Sequence, residues 1–534
     1  MFLCSNFYLQ NCHRKNNIMA HANSSSAAAL TETENEMVKL KHIIDIEVLE
    51  ELSLAECSIY KVPPNLRKVK QEAYTPQLIS IGPIHHGKQE LQSMQQHKKR
   101  YFHFFFERLT QFNQQSTIKN YKTYLENKEQ KIRNSYAEKF PNISKEKFVE
   151  TILLDAVFIM ELLLRNSSWK SDKSKHEHEY VESKSFRWKH SDDYILTQAW
   201  LSKSITRDLI LLENQIPFFV LTNLYDTVVP EEDKKLEHER FLDLALEYFA
   251  FYDTQKSSSR ETKLVLDKNQ TKQYYFVSGI LGDVSSGHSV SKKKNSEKSI
   301  GNNHRNQDPK HFTDLIRFFY LPSDLGKSGC AHNLPRTVTK LMDSGVSFEK
   351  VVERRLLDIS FEKKPFLSYF LCLGCLPSFS CLNHFKARLR IPQLKVDHTT
   401  ECVLRNLIAL EQCQYQEQPY ICNYVSLVDS LIHTQVDVDF LVEKEVIVHE
   451  MGSDKEVAML VNGLCKHVVV NSTCYYEIIN ELNKHYQNIW NRTMAALWLV
   501  YFRDAWRASS TLVGLAFLVY TAFNFVRLAK IIFY

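Results

Sequence analysis

From Glu90 onward, apolar positions recur at three- and four-residue steps, and Leu91, Met94, Tyr101 and Phe105 share one helical face with Lys98. Phe148 to Leu164 is mostly apolar, broken by Glu150, Asp155 and Glu161. With three carboxylates inside, that run reads as a buried core helix rather than a membrane span. The stretch Arg207 to Leu221 breaks at Pro217, which opens a new helix. Helical spacing resumes from His311 to Tyr320, and Val403, Leu407 and Leu410 form the stripe of a helix starting near Thr399. Ser453 and Glu456 read as a capping box before Val457, Leu460, Val461 and Leu464. Two runs have strand character. Leu357, Ile359 and Phe361 alternate with Asp358 and Ser360, and Leu389 to Val396 carries Pro392, which demotes it to an edge or a bulge. Ile59–Pro64, Tyr74–Pro76 and Gly82–Pro83 are turn-rich and extended.

The C-terminus differs in kind. Ala508 to Val526 holds nineteen residues without a charge, about 28 Å as a helix and close to a hydrocarbon core. Arg503 and Arg507 precede it, Arg527 and Lys530 follow, and Trp498, Tyr501 and Trp506 stand where interfacial aromatics belong. This predicts a transmembrane helix rather than a buried core helix. Met1 to Tyr8 is too short for a secretory signal, and Arg14 and Lys15 follow it instead of preceding it. Only eight residues follow Val526, so tail-anchored insertion is expected, with the large domain on the cytosolic side. Occupied glycosylation sequons at Asn142, Asn166 or Asn471 would contradict that orientation.

The expected fold class is mostly α with a minor β-sheet (α+β) and a single C-terminal transmembrane helix. Residues 1–55 form a mostly disordered lead and 56–490 the folded domain, with a polar insertion at 254–310 and an apolar one at 365–385. Residues 491–534 form the interfacial segment and membrane anchor.

Composition and charge narrow the function. Only 13 Gly and 14 Pro occur in 534 residues, well under typical usage of roughly 7% and 5%, which disfavours glycine-rich phosphate loops. The net charge of +5 would suggest nucleic acid, but 255–310 holds eleven Lys/Arg against five Asp/Glu, leaving 56 basic and 57 acidic residues elsewhere. The excess sits in one polar stretch, not on a basic face, and no nucleic-acid partner is expected. The 12 cysteines are irregularly spaced, and Cys372, Cys375 and Cys381 lack the fourth ligand a zinc site needs.

Candidate chemistry is thin. Gly82-Pro-Ile-His-His-Gly87-Lys88-Gln89 nearly spells a phosphate loop, but Pro83 removes a backbone donor and Gln89 stands where a magnesium-binding hydroxyl belongs. A turn is the reading, with no nucleotide. His85 and His86 point to opposite faces of an extended segment, and His97 and His103 have no metal-binding spacing with them. Asp155 and Glu213 lie among apolar residues, where burial can raise a carboxyl pKa for acid–base work. Structural ion pairs are the commoner outcome. Arg207…Glu213-Asn-Gln is echoed by Arg405…Glu411-Gln412, as two supports that lock helix ends through charge-assisted hydrogen bonds. No catalytic, cofactor-binding or metal-binding residue is assigned.

In order along the chain, several segments resemble one family. They are Ile59-Tyr-Lys-Val-Pro63, Tyr74–Gly87, Met94-Gln-Gln-His-Lys98, Asp155-Ala-Val-Phe-Ile-Met-Glu161 and Asp208–Leu221. Ala331–Arg336, Gly345-Val-Ser-Phe348, Leu389–Leu394, Thr400-Glu401 and Arg405–Gln412 continue the series. Over roughly 56–510 the chain is similar to the plant "domain of unknown function 247" proteins. The resemblance implies a plant protein with a mostly helical domain, usually ending in one membrane-spanning segment. The family has no established catalytic activity, and some members are implicated in pollen–stigma self-recognition. The segment Pro365 to Phe385 departs from the family pattern, either as a retained intron or as a genuine insertion. The expected function is that of a membrane-anchored plant protein acting in recognition or signalling through contacts with an unknown protein partner. The alternative is a hydrolase or transferase using buried carboxylates such as Asp155 or Glu213. The expected location is single-pass, in the plasma membrane or an endomembrane.

Overall fold

A computed structural model describes residues 56–107, 114–175, 193–229, 234, 238–253, 308–321, 328–330, 335–351, 354–363, 387–501 and 504–533. The lead 1–55, nearly all of 254–310, and the insertion 365–385 with Cys372, Cys375 and Cys381 lie outside the described residues. The chain is mostly helical with small sheets, as the periodicity predicts.

Helix α1 (Pro64–Val69) begins on a proline whose missing N–H costs nothing there. The chain then runs to residue 92 with only two single 3-10 turns, Gln71–Ala73 and Gln89–Leu91. Helices α2 (Ser93–Glu107) and α3 (Gln114–Asn134) both pack on α4 (Lys145–Lys175). From Phe148 to Leu164 nearly every α4 side chain is buried, on all sides of the helix, so α4 runs through the core. Glu150 faces solvent, while Asp155 and Glu161 are enclosed.

Asp193 caps the short α5 (Tyr194–Thr197), accepting from the N–H groups of Ile195 and Leu196. Helix α6 (Ala199–Leu209) follows, and Pro217 opens α7 (Phe218–Val228) as expected. Helix α8 (Phe241–Tyr248) packs on α4 and α7, and α9 (Phe312–Tyr320) brings Phe312 among Phe218, Phe241 and Phe249.

Helix α10 (Val338–Asp343) passes through Gly345, at φ +87°, into β1 (Val346–Val351). With β2 (Ser360–Glu362) and β3 (Ala387–Pro392), β1 forms a sheet ordered β1-β3-β2. Strand β3 runs parallel to β1 (Phe348 opposite Leu389) and antiparallel to β2 (Phe361 opposite Leu389). Two strand expectations are corrected. Leu389–Val396 is not one edge strand: β3 is central, and Pro392, unable to donate a ladder hydrogen bond, is its last residue. The chain then enters a second sheet as β4 (Leu394–Val396). Leu357 and Ile359 are buried but precede β2, which begins at Ser360.

Helix α11 (Thr400–Gln414) is buried all round from Cys402 to Glu411, wider than the predicted stripe. It is followed by α12 (Tyr420–Leu431), α13 (Gln435–Glu443) and β5 (Ile447–His449), which pairs in parallel with β4. Next come α14 (Asp454–Leu464) and α15 (Tyr476–Gln487). Ser453 caps α14 by accepting from the Glu456 N–H, while the reciprocal box sits at Thr434 and Asp437, at the N-terminus of α13. Helices α16 (Ile489–Tyr501) and α17 (Ala505–Phe533) complete the described chain. Trp506–Leu528 in α17 is long and apolar enough to cross a membrane, and none of its apolar window is buried.

Candidate functional site

Asp155 and Glu213, both singled out in the sequence, bond the chain between Val62 and Gly82, Glu213 from within an internal segment. Helix α6 ends at Leu209, and residues 210–217 then cross the interior without regular structure, every one buried. Such a segment must find partners for its backbone polar groups. Its own side chains and Asn406 supply many of them. Gln215 donates from Nε2 to the carbonyls of Leu209 (2.6 Å) and Leu211 (2.8 Å) and accepts at Oε1 from Phe312 N–H (2.9 Å). Asn406 on α11 accepts from Leu212 N–H at 3.0 Å and donates to Ala73 O at 2.8 Å.

This segment, with Asp208 at the end of α6 and Asp155 on α4, holds Val62 and the extended run 77–82. Asp208 accepts from the N–H groups of Gln77 (3.0 Å), Leu78 (2.7 Å) and Ile79 (3.0 Å). Asn214 accepts from Ile81 N–H at 2.7 Å and donates to Ile79 O at 3.0 Å. Glu213 takes Val62 N–H at 2.7 Å, and Asp155, on α4, takes Gly82 N–H at 2.8 Å. Together these acceptors form a clamp around the run 77–82, which pairs with no strand among the described residues.

Each carboxylate also has a counter-charge or further donors. Asp155 meets the ammonium of Lys98, which also donates to Ser80 O. Glu213 pairs with Arg67 and lies 3.3 Å from His85 Nε2. Glu411 accepts from Arg317 Nε at 2.8 Å and from Cys422 N–H at 2.9 Å. The two echoed segments therefore do act as supports, but their argininium partners come from elsewhere in the chain. Arg207 instead bonds Asp208 (2.9 Å) and Glu72 O (2.5 Å), and Arg405 bonds Glu401 (2.8 Å).

Burial pushes the Asp155, Asp208 and Glu411 carboxyls up from their ordinary values, against the pull of their partners. Burial would also raise Glu213, but hydrogen bonds from His85, Arg67 and Val62 N–H outweigh it and hold this carboxyl low. All four carboxylates are at most 2% exposed. A substrate cannot reach them without displacing the chain they hold.

Gly82–Lys88 forms a turn, with Pro83 O accepting from His86 N–H (3.3 Å) and His85 O from Lys88 N–H (3.4 Å). Gly82 and Gly87 have φ of +72° and +85°. His85 is buried and His86 half-buried, His97 stacks on Tyr194 at 5.6 Å, and His103 lies at Glu107, so the four histidines do not meet. No group of three or more His, Cys, Asp or Glu is close enough to hold a metal among the described residues.

One cluster had no signal in the sequence. Ser167 Oγ lies 3.2 Å from His238 Nε2, and Glu247 Oε2 lies 2.8 Å from the same nitrogen. A nucleophile relay needs the base to use opposite ring nitrogens for serine and carboxylate. Here one nitrogen serves both, so the cluster is a hydrogen-bonded support of α4 and α8. Asp208 likewise carries no periodic signal of its role. Its clue is the density of polar side chains in the non-periodic run Asp208–Gln215.

Residues 59–520 match the family model described as a plant protein of unknown function, domain of unknown function 247. The chain belongs to that family. Among its curated relatives, the UPF0481 protein At3g47200 of Arabidopsis thaliana is 26% identical over 475 residues, covering 86% of this chain and 83% of the relative. The putative UPF0481 protein At3g02645 of the same plant is 25% identical over 536 residues, covering 90% and 92%. No solved structure matches this member of the domain of unknown function 247 family. The clamp spans motifs quoted for the family resemblance, including Tyr74–Gly87, Asp155–Glu161, Asp208–Leu221 and Arg405–Gln412.

Proposed function

We propose that this chain is a single-pass, membrane-tethered plant protein that acts in recognition or signalling through protein contacts, with its folded domain in the cytosol. The observation that carries the tether is Trp506–Leu528, an apolar helix with an 18-residue window none of which is buried. Exposure of that extent is stable in lipid and unfavourable in water. The reading of protein contacts is supported by the use the fold makes of its buried carboxylates. Asp155, Asp208, Glu213 and Glu411 hold backbone and counter-charges, which leaves the surface to do the work. A hydrolase or transferase built on Asp155 or Glu213 is the weaker reading for the same reason.

The test is removal of 505–534 from the chain expressed in plant cells. The truncated protein should leave the membrane fraction for the soluble one; retention on membranes would refute the tether. Orientation is read separately from Asn142 and Asn471, both exposed sequon residues. Glycans on either would place the domain in the lumen or outside the cell and overturn the cytosolic assignment. The protein partner and its pathway are the objects of proximity labelling in plant tissue.

A further inference from the structure

We propose that α16 is an interfacial helix that lies along the bilayer surface and fixes which face of the folded domain meets the lipid; this rests on the tether proposed above. Trp490, Met494, Leu497 and Tyr501 are 75%, 52%, 42% and 47% exposed. Their spacing of four, three and four residues makes a single stripe along the helix. A stripe of four large apolar side chains facing outward marks a contact surface.

One flank of α16 is attached to the domain, while Arg492 and Leu499, on the side away from the stripe, are exposed. Asn491 and Ala495, one turn apart, are half-buried. Asn491 donates from Nδ2 to His485 O at 3.0 Å and meets His485 Nδ1 at the same distance. Ala495 sits over Gly345, where an added Cβ would come within 3.3 Å of the alanine methyl. Helix α16 also packs on α10 and α15. It is thus held to the domain along that flank, with its stripe left uncovered.

Continuity identifies the cover as lipid. Only residues 502–504 separate α16 from α17, the two helices touch, and α17 carries the exposed apolar run. One bilayer can cover both surfaces, α16 in the headgroup zone and α17 across the hydrocarbon. Trp490, Tyr501 and the 83% exposed Trp506 have the amphipathic rings that settle at this depth. Cations lie near this end of the domain: the Arg336 and Arg492 guanidinium groups stand 5.7 and 5.4 Å from the ring of Tyr486 on α15. Their charge suits an anionic leaflet. In this arrangement the side of the domain that carries α16, with Gly345 before β1 and the C-terminal end of α15, is turned toward the membrane.

The experiment is hydroxyl-radical footprinting, read by mass spectrometry, of the full chain inserted into phosphatidylcholine–phosphatidylserine vesicles. Lipid is kept in large excess, so that most vesicles hold a single chain and self-association does not protect it. Trp490, Met494 and Tyr501 should be labelled several-fold less than Trp200 and Met459, which are exposed elsewhere on the domain at 58% and 57%. If Trp490 and Met494 label like these controls while Phe517 and Tyr520 stay protected, the tether stands and the interfacial helix is refuted. If Phe517 and Tyr520 also label fully, the tether itself fails, and this inference with it. A full-chain Met494→Glu/Leu497→Glu variant gives the second measurement. It should restore Trp490 labelling while Tyr520 stays protected, and unchanged protection of Trp490 would overturn the proposal.

Discussion

Lys98 on α2 places its ammonium on the carboxylate of Asp155 on α4, with each residue only 1% exposed. The pair joins two core helices, and each partner also holds the extended segment, Lys98 through Ser80 O and Asp155 through Gly82 N–H. A buried charge left without its partner is far more costly than the pair is worth. Asp155→Ala should therefore lower stability by roughly 3–5 kcal/mol, and Lys98→Met by a similar amount. The double variant should cost clearly less than the two single costs combined. Chemical unfolding of the three variants measures the coupling, and simple additivity would contradict it.

His311 should make the fold sensitive to mild acid. Its ring is fully enclosed, with Nε2 2.9 Å from Ser58 O and Nδ1 accepting from Asp314 N–H at 3.3 Å. Burial brings its pKa down from 6.5 to about 4. The unfolded chain therefore takes up this proton first as pH falls. The stability His311 allows is complete above pH 6.5 and is lost progressively down to about pH 4. The loss should approach roughly 3 kcal/mol. His86 and His485, also lowered by burial, act in the same direction. His311→Asn should flatten the stability–pH curve in this window, as read by denaturant midpoints at successive pH values.

Gly82 and Gly87 share a left-handed backbone but not a neighbourhood. A Cβ at Gly82 would stand 2.4 Å from Gln215 O, inside the clamp, whereas Gly87 has nothing within 4 Å. Gly87→Ala should cost only the conformational penalty of about 1–2 kcal/mol. Gly82→Ala adds a collision with backbone that cannot move freely, and its melting temperature should fall well below that of Gly87→Ala. Equal shifts would mean that the clamp yields.

Lys88 is exposed at the end of the Gly82–Lys88 turn. As a turn residue it should be replaceable, so Lys88→Ala should leave the melting temperature within a degree or so, consistent with the small effect of most surface substitutions. ATP should not shift the wild-type melting temperature. A bound nucleotide at a hundred times its dissociation constant would add about 2.7 kcal/mol, an effect that thermal unfolding would readily detect.

The features legible in the sequence were those encoded by neighbours along the chain. Helical stripes, the core helix at Phe148–Leu164, the start of α7 at Pro217 and the apolar run in α17 depend on periodicity and on proline geometry, which need no knowledge of the fold. Tertiary structure decided the partners. Glu213 pairs with Arg67 and Glu411 with Arg317, not with the arginines six residues before each. Strand order likewise depended on distant chain: β3 became central because β1 and β2 approach it from both sides, and Pro392 ended it where β4 leaves for another sheet. A carboxylate in an apolar run reads the same along the chain whether it will serve chemistry or hold backbone. Only the arrival of the N–H groups from residues 62 and 77–82 made Asp155, Asp208 and Glu213 parts of a clamp, because an extended segment with no sheet beside it must take its acceptors from side chains.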